Sequence, residues 1–409
     1  MKEILQRTAQ RIKQIVNHKQ FKRYAPLVIV LLITLGSFVT CVSRLGHGHG
    51  EPEPTGVIEE TPDFTPDPSP LPPQTQSPKP SPAPAQEPEQ EPEPEQEPEP
   101  EYEGPYNPLT GLPTETDISR NRPLAIMINN SSAAQPQRGV SKADIIYEVV
   151  VEGGITRMMA LYQDVSDVGI IGSVRSSRLY YIDLVQGYDA IYIFAGGSPE
   201  AYSALSARNI TRLDGVAGRA DIYYRDEWRR VNLGSEHSLM TTGARIQQWL
   251  PTYGFRLEHE AGYERELSFV EDGTPSGGST ANEFAVRFSA SKTTTFSYLD
   301  TDGLYYLGQF GKSYKDGNDE TQLAFTNVLI LKTAISRIAG DTEGRMRVAT
   351  TGTGAGYFAC GGEYVEIEWS RADVNSQFSY KLSDGSELEF GCGRTYICII
   401  PADTDVVFS

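Results

Sequence analysis

Arg175 and Arg178 stand three residues apart in "GSVRSSRLYYIDL", residues 172–184. Ser173 is a natural N-cap and an apolar face follows it, so the stretch predicts a helix beginning at Ser173. Both arginines then fall in the first turn and share a face. That end of a helix already carries about half a positive charge, which makes it a costly place for guanidinium groups. Two kinds of partner would justify them: a bound anion, or a buried carboxylate from the chain itself.

Carboxylates are available nearby. Glu148 and Glu152 are four apart in "ADIIYEVVVEGG", a strand pattern that puts both on one side. Gly153-Gly154 reads as a hairpin turn, which brings Arg157 back beside Glu152. Asp183, eight residues past Arg175, returns to nearly the same helix face. Arginine forks suit bidentate carboxylate pairing, so these residues can form ion pairs bracing helix against sheet. The same residues also suit an anion pocket. Ser173, Ser176, Arg157, Arg175 and Arg178 would surround the anion, and Gly196, Gly197 and Ser198, at another strand-to-helix turn, would add backbone donors. One observation separates the readings. Arginines fully paired to Glu148 or Glu152 and closed to solvent are braces; unpaired guanidinium groups facing an open cleft mark a pocket.

Evidence for catalysis is thinner. "AGGSPEA" lacks the second glycine of G-x-S-x-G, and a Ser198–His237–Asp triad rests on residue types alone. A glycosidase-like pair, Glu148 with Glu152 or Asp164, is available but unspecific. The candidate general acids or bases are therefore Glu148, Glu152 and His237. No P-loop, dinucleotide fingerprint or zinc signature occurs, so neither cofactor nor metal site is expected. "HGHG" at 47–50 offers two histidines without further ligands. Tyrosine pairs in "LYYIDL", "IYYRDEW" and "LYYLGQ" read as core, or as a platform for sugar stacking.

The elements that must position these groups follow a strongly polarised N-terminus. Residues 1–25 are a basic tail, and residues 1–50 carry eight Lys/Arg against Glu3. Residues 26–43 hold an uncharged apolar run after Pro26, roughly 24 Å of helix, which predicts a transmembrane anchor or signal-anchor. With basic residues before it and acidic ones after, the N-terminus is expected in the cytoplasm and the rest outside the cell membrane. Lipidation at Cys41 and simple cleavage are the alternatives to an uncleaved anchor. Residues 44–104 form a Pro/Glu-rich linker, "SPKPSPAPAQEPEQEPEPEQEPEPEYE", that cannot build a core and reads as a stiff spacer.

Order is expected from residue 105. Strands are predicted at 123–130, 143–154, 155–164 and 189–198, and helices at 199–208 and 241–250. This is an α/β (α+β) first domain with a mixed sheet, over 105–272. After the polar break "EDGTPSGGST" the chain turns β-rich, giving a smaller C-terminal domain over 280–409, a small sheet or barrel. Residues 104–409 hold −11 of the chain's −18 charge, which argues against nucleic-acid binding. If Cys360, Cys392 and Cys398 lie outside the cytoplasm, one disulfide and one leftover thiol are expected, with the pairing open.

Residues 122–239 carry more specific text. "RPLAIMINNSSAAQPQRGVSKADIIYEVVVEGGITRMMALYQD", "IGSVRSSRLYYIDL", "YDAIYIFAGGSPEAY" and "EHSLMTT", followed by "NVLILKT", "GGEYVEIEWSR" and "TYICIIP", resemble the YerB-like family of bacterial extracytoplasmic lipoproteins. That family has no established activity. The resemblance implies an α/β first domain, a smaller second domain and an envelope location. Two departures stand out. A long basic region replaces a compact lipoprotein signal, and Glu236-His237-Ser238 stands where members often read Pro-His-Asn, which weakens a fixed role for His237. The expected function is a tethered, non-catalytic envelope protein that binds a cell-wall polymer, a lipid-linked precursor or an envelope protein. The alternative is an envelope hydrolase or transferase acting on cell-wall glycans or phosphodiesters.

Overall fold

Seven consecutive buried residues, Leu124–Asn130, form β1. β2 (Ile145–Val150) and β3 (Thr156–Tyr162) are buried along their whole length too. Continuous rather than alternating apolar runs mean that this sheet is covered on both faces. The computed structural model describes residues 104–409; the basic tail, the expected membrane span with Cys41, "HGHG" and nearly all of the linker lie outside the described residues. Among the described residues no helix is long and apolar enough to cross a membrane.

The hairpin at Gly153-Gly154 forms as expected, both glycines having φ near 70°. β3 is antiparallel to β2 and to β1, so all three present one common edge: the C-terminal ends of β1 and β2 and the start of β3. β4 (Ile191–Phe194) and β5 (Arg212–Asp214) continue the sheet in parallel with β1. Helices α1 (Leu179–Gly187) and α2 (Pro199–Ala207) pack on one face, where Tyr181, Ile182 and Leu205 meet Tyr147, Met159 and Phe194.

The C-terminal half is β-rich, and its strands divide between two sheets. β6 (Glu283–Ser289), β7 (Lys292–Leu299) and β8 (Leu304–Gln309) form an antiparallel meander that covers the other face of the large sheet. β6 alternates exposed and buried residues because only one of its faces is covered. β9 (Asn327–Thr333), β10 (Gly352–Cys360), β11 (Glu363–Arg371) and β12 (Thr395–Pro401) do not build a separate sheet or barrel. β12 pairs in parallel with β2, and the large sheet runs β11-β10-β9-β12-β2-β3-β1-β4-β5, drawing on both halves.

Three expectations need correction. First, the helix begins at Leu179, not Ser173, with Arg178 in the N-cap position. Residues 173–178 are captured by strand ends instead. The Asn129 amide donates to the Ser173 carbonyl (2.9 Å), Arg175 to Met127 (2.9 Å), Ala195 to Arg175 (3.0 Å) and Ser177 to Gly196 (2.8 Å). Second, β10 was not expected, because glycines weaken a strand pattern. Gly354 and Gly356 are there for space: a Cβ would sit 2.6 Å from the Trp369 indole nitrogen and 2.5 Å from the Ile330 carbonyl oxygen, respectively.

Third, Cys360, Cys392 and Cys398 are all free thiols, and no disulfide links them. Cys360 and Cys398 are buried, and burial pushes the Cys360 thiol up to about 11. Alkylation of the native protein at pH 8 should therefore modify Cys392, which is partly exposed, well before the other two. Peptide mass analysis at increasing reaction times checks that order.

Candidate anion-binding site

Glu148 lies in β2 with no solvent exposure, on the face turned to the β6–β8 meander. Its carboxylate is fully used. Oε1 accepts from Asn130 Nδ2 (2.9 Å) and Thr156 Oγ1 (2.6 Å). Oε2 accepts from Thr294 Oγ1 (2.8 Å), the Tyr396 hydroxyl (2.6 Å) and Gln309 Nε2 (3.3 Å). The Lys292 ammonium lies 3.2 Å from Oε1 and also donates to Gln309. These six partners come from five strands, β1 and β3 in the first half and β7, β8 and β12 in the second, so Glu148 is a buried seam between them. It pairs with neither Arg175 nor Arg178.

Glu152 does meet the arginines. It sits in the turn after β2, within ion-pair distance of Arg178 Nε and 3.6 Å from Arg157 Nη2. Burial pushes the Glu152 carboxyl up, but the Arg178 hydrogen bond and the charges of Arg178 and Arg157 outweigh it and hold the group below its usual range. Arg157, at the start of β3, also donates to the Ser176 carbonyl (2.9 Å). It is only 5 % exposed; burial, with Arg178 and Arg175 adding repulsion and Glu152 opposing, brings it down to about 10.

Arg175 has no carboxylate within ion-pair distance among the described residues. Its Nη1 donates to the backbone carbonyl of Glu236 (3.1 Å), and its Nε is buried without a hydrogen-bond partner. Arg157 Nε and Ser131 Oγ are unpartnered in the same way. Ser131 follows β1 directly, and Asn129 lies opposite Arg157 across the β1–β3 pair, so their side chains share a face. Three of the six such atoms among the described residues thus cluster at one sheet edge, where buried donors normally all find acceptors.

His237 closes the group. Asn129 Oδ1 accepts from the Ser131 amide (3.1 Å), which fixes the amide orientation, and Nδ2 meets His237 Nδ1 at 2.8 Å. His237 Nδ1 is then the acceptor, and the neutral ring carries its proton on Nε2, 3.7 Å from a Glu236 oxygen. Burial holds His237 below its usual pKa, with Glu236 opposing. Neutral His237 therefore favours the fold. Its contribution is full above pH ~6.5, where both states are neutral, and falls as pH drops below that value, because only the unfolded chain takes up the proton. Subtracting the stability of His237→Gln from that of wild type should give a difference that grows between pH 5.5 and pH 7.5, measured by denaturant titration.

The other expected residues divide. Gly196, Gly197 and Ser198 do reach this edge, since Ser177 bridges to Gly197, but their groups are committed elsewhere. The Gly196 amide donates to Asp214 (2.9 Å), and the Ser198 hydroxyl caps α2 by accepting from Ala201 (3.2 Å). Ser198 and His237 are thus not partners. Ser173 is buried against Gln137, whereas Ser176 stays half-buried beside Gly196. Asp183 pairs with Arg208 (2.6 Å) and accepts from Thr350 (2.9 Å) rather than meeting Arg175 or Arg178, and Asp164 holds Ser166 and does not pair with Glu148. Tyr180, Tyr181, Tyr223 and Tyr305 are buried and offer no sugar platform, whereas Tyr224 and Tyr306 are partly exposed.

Sequence reading missed Asn129, Ser131 and Lys292. The first two had a signal, two asparagines and a serine ending an otherwise apolar strand in "INNS"; Lys292 had none.

Comparison with known proteins places both halves. Residues 109–256 match the N-terminal domain, and residues 284–397 the C-terminal domain, of a protein of unknown function (DUF3048). A protein of Bacillus subtilis (strain 168) named "Putative lipoprotein YerB" is 29 % identical over 298 residues, covering 72 % of this chain and 86 % of that protein. The crystal structure of YerB from Bacillus subtilis superposes with a TM-score of 0.64 at 27 % identity, covering 74 % of this chain and 99 % of that one. With both domains matched in order along one continuous sheet, the chain belongs to the YerB-like DUF3048 family, whose function is unknown.

Proposed function

We propose that this is a membrane-tethered binding protein of the bacterial envelope, and that Arg175, Arg157, Ser131 and Asn129 hold an anionic group of a wall polymer or lipid-linked precursor. One observation carries the reading: Glu152 meets the guanidinium groups of Arg157 and Arg178, neighbouring Arg175 has no carboxylate within ion-pair distance among the described residues, and buried atoms on Arg157, Arg175 and Ser131 lack hydrogen-bond partners. An oxyanion would supply those acceptors, and arginine forks match its geometry. The basic tail, apolar run and Pro/Glu segment add a tether and a spacer on the order of 150 Å long when extended, and the lipoprotein name of the relative agrees with an envelope location.

The test is retention of purified wall material and lipid-linked precursor by the full-length chain. Arg175→Ala should weaken retention by about tenfold or more, as expected when a charge-assisted hydrogen bond is lost, and should leave stability nearly unchanged. Equal retention by both proteins would overturn the site. A changed mass profile of the incubated material would point instead to a hydrolase or transferase, and retention of neither probe to an envelope protein as partner.

A further inference from the structure

Arg178 also lines a concavity on its far side from Glu148 and the meander. It is a cavity of about 120 Å³ between the starts of α1 and α2 and the hairpin formed by Ile335–Arg337 and Met346–Val348. That volume far exceeds the ~10–15 Å³ that admits one water. Leu179, Tyr180, Ile338, Met346 and Val348 make its wall mostly apolar. Leu179 is 38 % exposed there, an apolar side chain at a helix start facing open space.

Charge surrounds this apolar wall asymmetrically. Arg178, Arg345 and Arg347 line the cavity against one carboxylate, Glu200. Arg345 is held by Asp341 (2.7 Å) and Arg178 by Glu152, whereas Arg347 is exposed and makes no ion pair among the described residues. An apolar pocket rimmed by guanidinium groups suits a ligand with a short hydrocarbon part next to an oxyanion. The wall comes from both halves of the chain, so the cavity exists only in the assembled fold.

We infer that this cavity is a binding site for a short alkyl or acyl group carried on a phosphate or carboxylate, with Arg347 as the free cation. The inference deepens the proposed function and shares Arg178 with the first site, but Arg175 is not in its wall.

The experiment is calorimetric titration of the full-length chain with methyl, butyl and hexyl phosphate, and with butyrate and hexanoate. Affinity should rise about fourfold for each methylene buried until the cavity is full. Met346→Trp, which fills the cavity, should flatten that dependence. Leu179→Ser, at an exposed position that keeps the fold, should reduce it, and Arg347→Ala should weaken the whole series alike. Hexanoate equal to hexyl phosphate identifies any oxyanion as the head group; a phosphate preference identifies a phosphoester. Affinity independent of chain length, or unchanged in both Met346→Trp and Leu179→Ser, overturns the inference. If inorganic phosphate still binds wild type and not Arg175→Ala in that case, the first site stands alone. Chain-length dependence that survives in a protein with no phosphate binding at Arg175 would retain this cavity and remove the other reading.

Discussion

Glu148→Ala is expected to destabilise the protein by about 3–5 kcal/mol, the usual cost of leaving one member of a buried ion pair without its partner. Lys292 is 3 % exposed and has no other carboxylate within ion-pair distance among the described residues. Its ammonium would keep one neutral acceptor, Gln309, which cannot replace a charge. Thr156, Thr294 and Tyr396 would lose their acceptor at the same time, and Asn130 one of its two. Glu148→Gln keeps one oxygen but turns an NH₂ group toward hydroxyl donors, so it should be costly as well. Glu148→Met with Lys292→Met should recover part of the loss, because no charge stays buried, though the orphaned hydroxyls prevent full recovery. Denaturant titration of wild type, Glu148→Met, Lys292→Met and the double variant measures the cycle, with Glu148→Ala measured alongside. A loss below 1 kcal/mol in Glu148→Ala would mean that the seam does not hold the halves together. Because β12 pairs directly with β2, the two halves should also lose structure in one transition.

That seam shows what the sequence could and could not reveal. β1, β2 and β3 were legible because continuous buried runs, broken at two glycines, leave little choice of element. Their union with β12 was not, since parallel pairing joins residues some 250 positions apart and leaves no local mark. Glu148 looked like half of a pair with Glu152. In fact the two part company at the end of β2: Glu148 faces the meander, while Glu152 has left the strand for the turn. Ser173 misled for a different reason. A serine before an apolar face is a sound N-cap signal, but the open backbone groups of β1 and β4 bind residues 173–177 first, and the helix waits for Leu179. The suspicion raised by the two arginines survives in part. Arg178 is a brace, and Arg175 is the one without a carboxylate.

Glu152→Gln should separate bracing from binding at that same edge. In phosphate-free buffer it should cost about 2–4 kcal/mol, since Arg157 and Arg178 are both largely buried and would lose their shared counter-charge. Wild type keeps this stabilisation above the ordinary glutamate range and loses it only as pH falls through the depressed Glu152 value. The substitution also removes the negative charge that competes with an incoming anion. Phosphate should therefore raise the melting temperature most in Glu152→Gln, less in wild type and not at all in Arg175→Ala. A ligand at one hundred times its Kd adds about 2.7 kcal/mol, enough to return most of what the substitution takes away. Sodium chloride at matched ionic strength is the control, because screening alone also relieves repulsion among the three guanidinium groups. If chloride works as well as phosphate, the arginines feel only a general field. If phosphate acts on Glu152→Gln and fails on Arg175→Ala, the two unpartnered arginine nitrogens have found their acceptor.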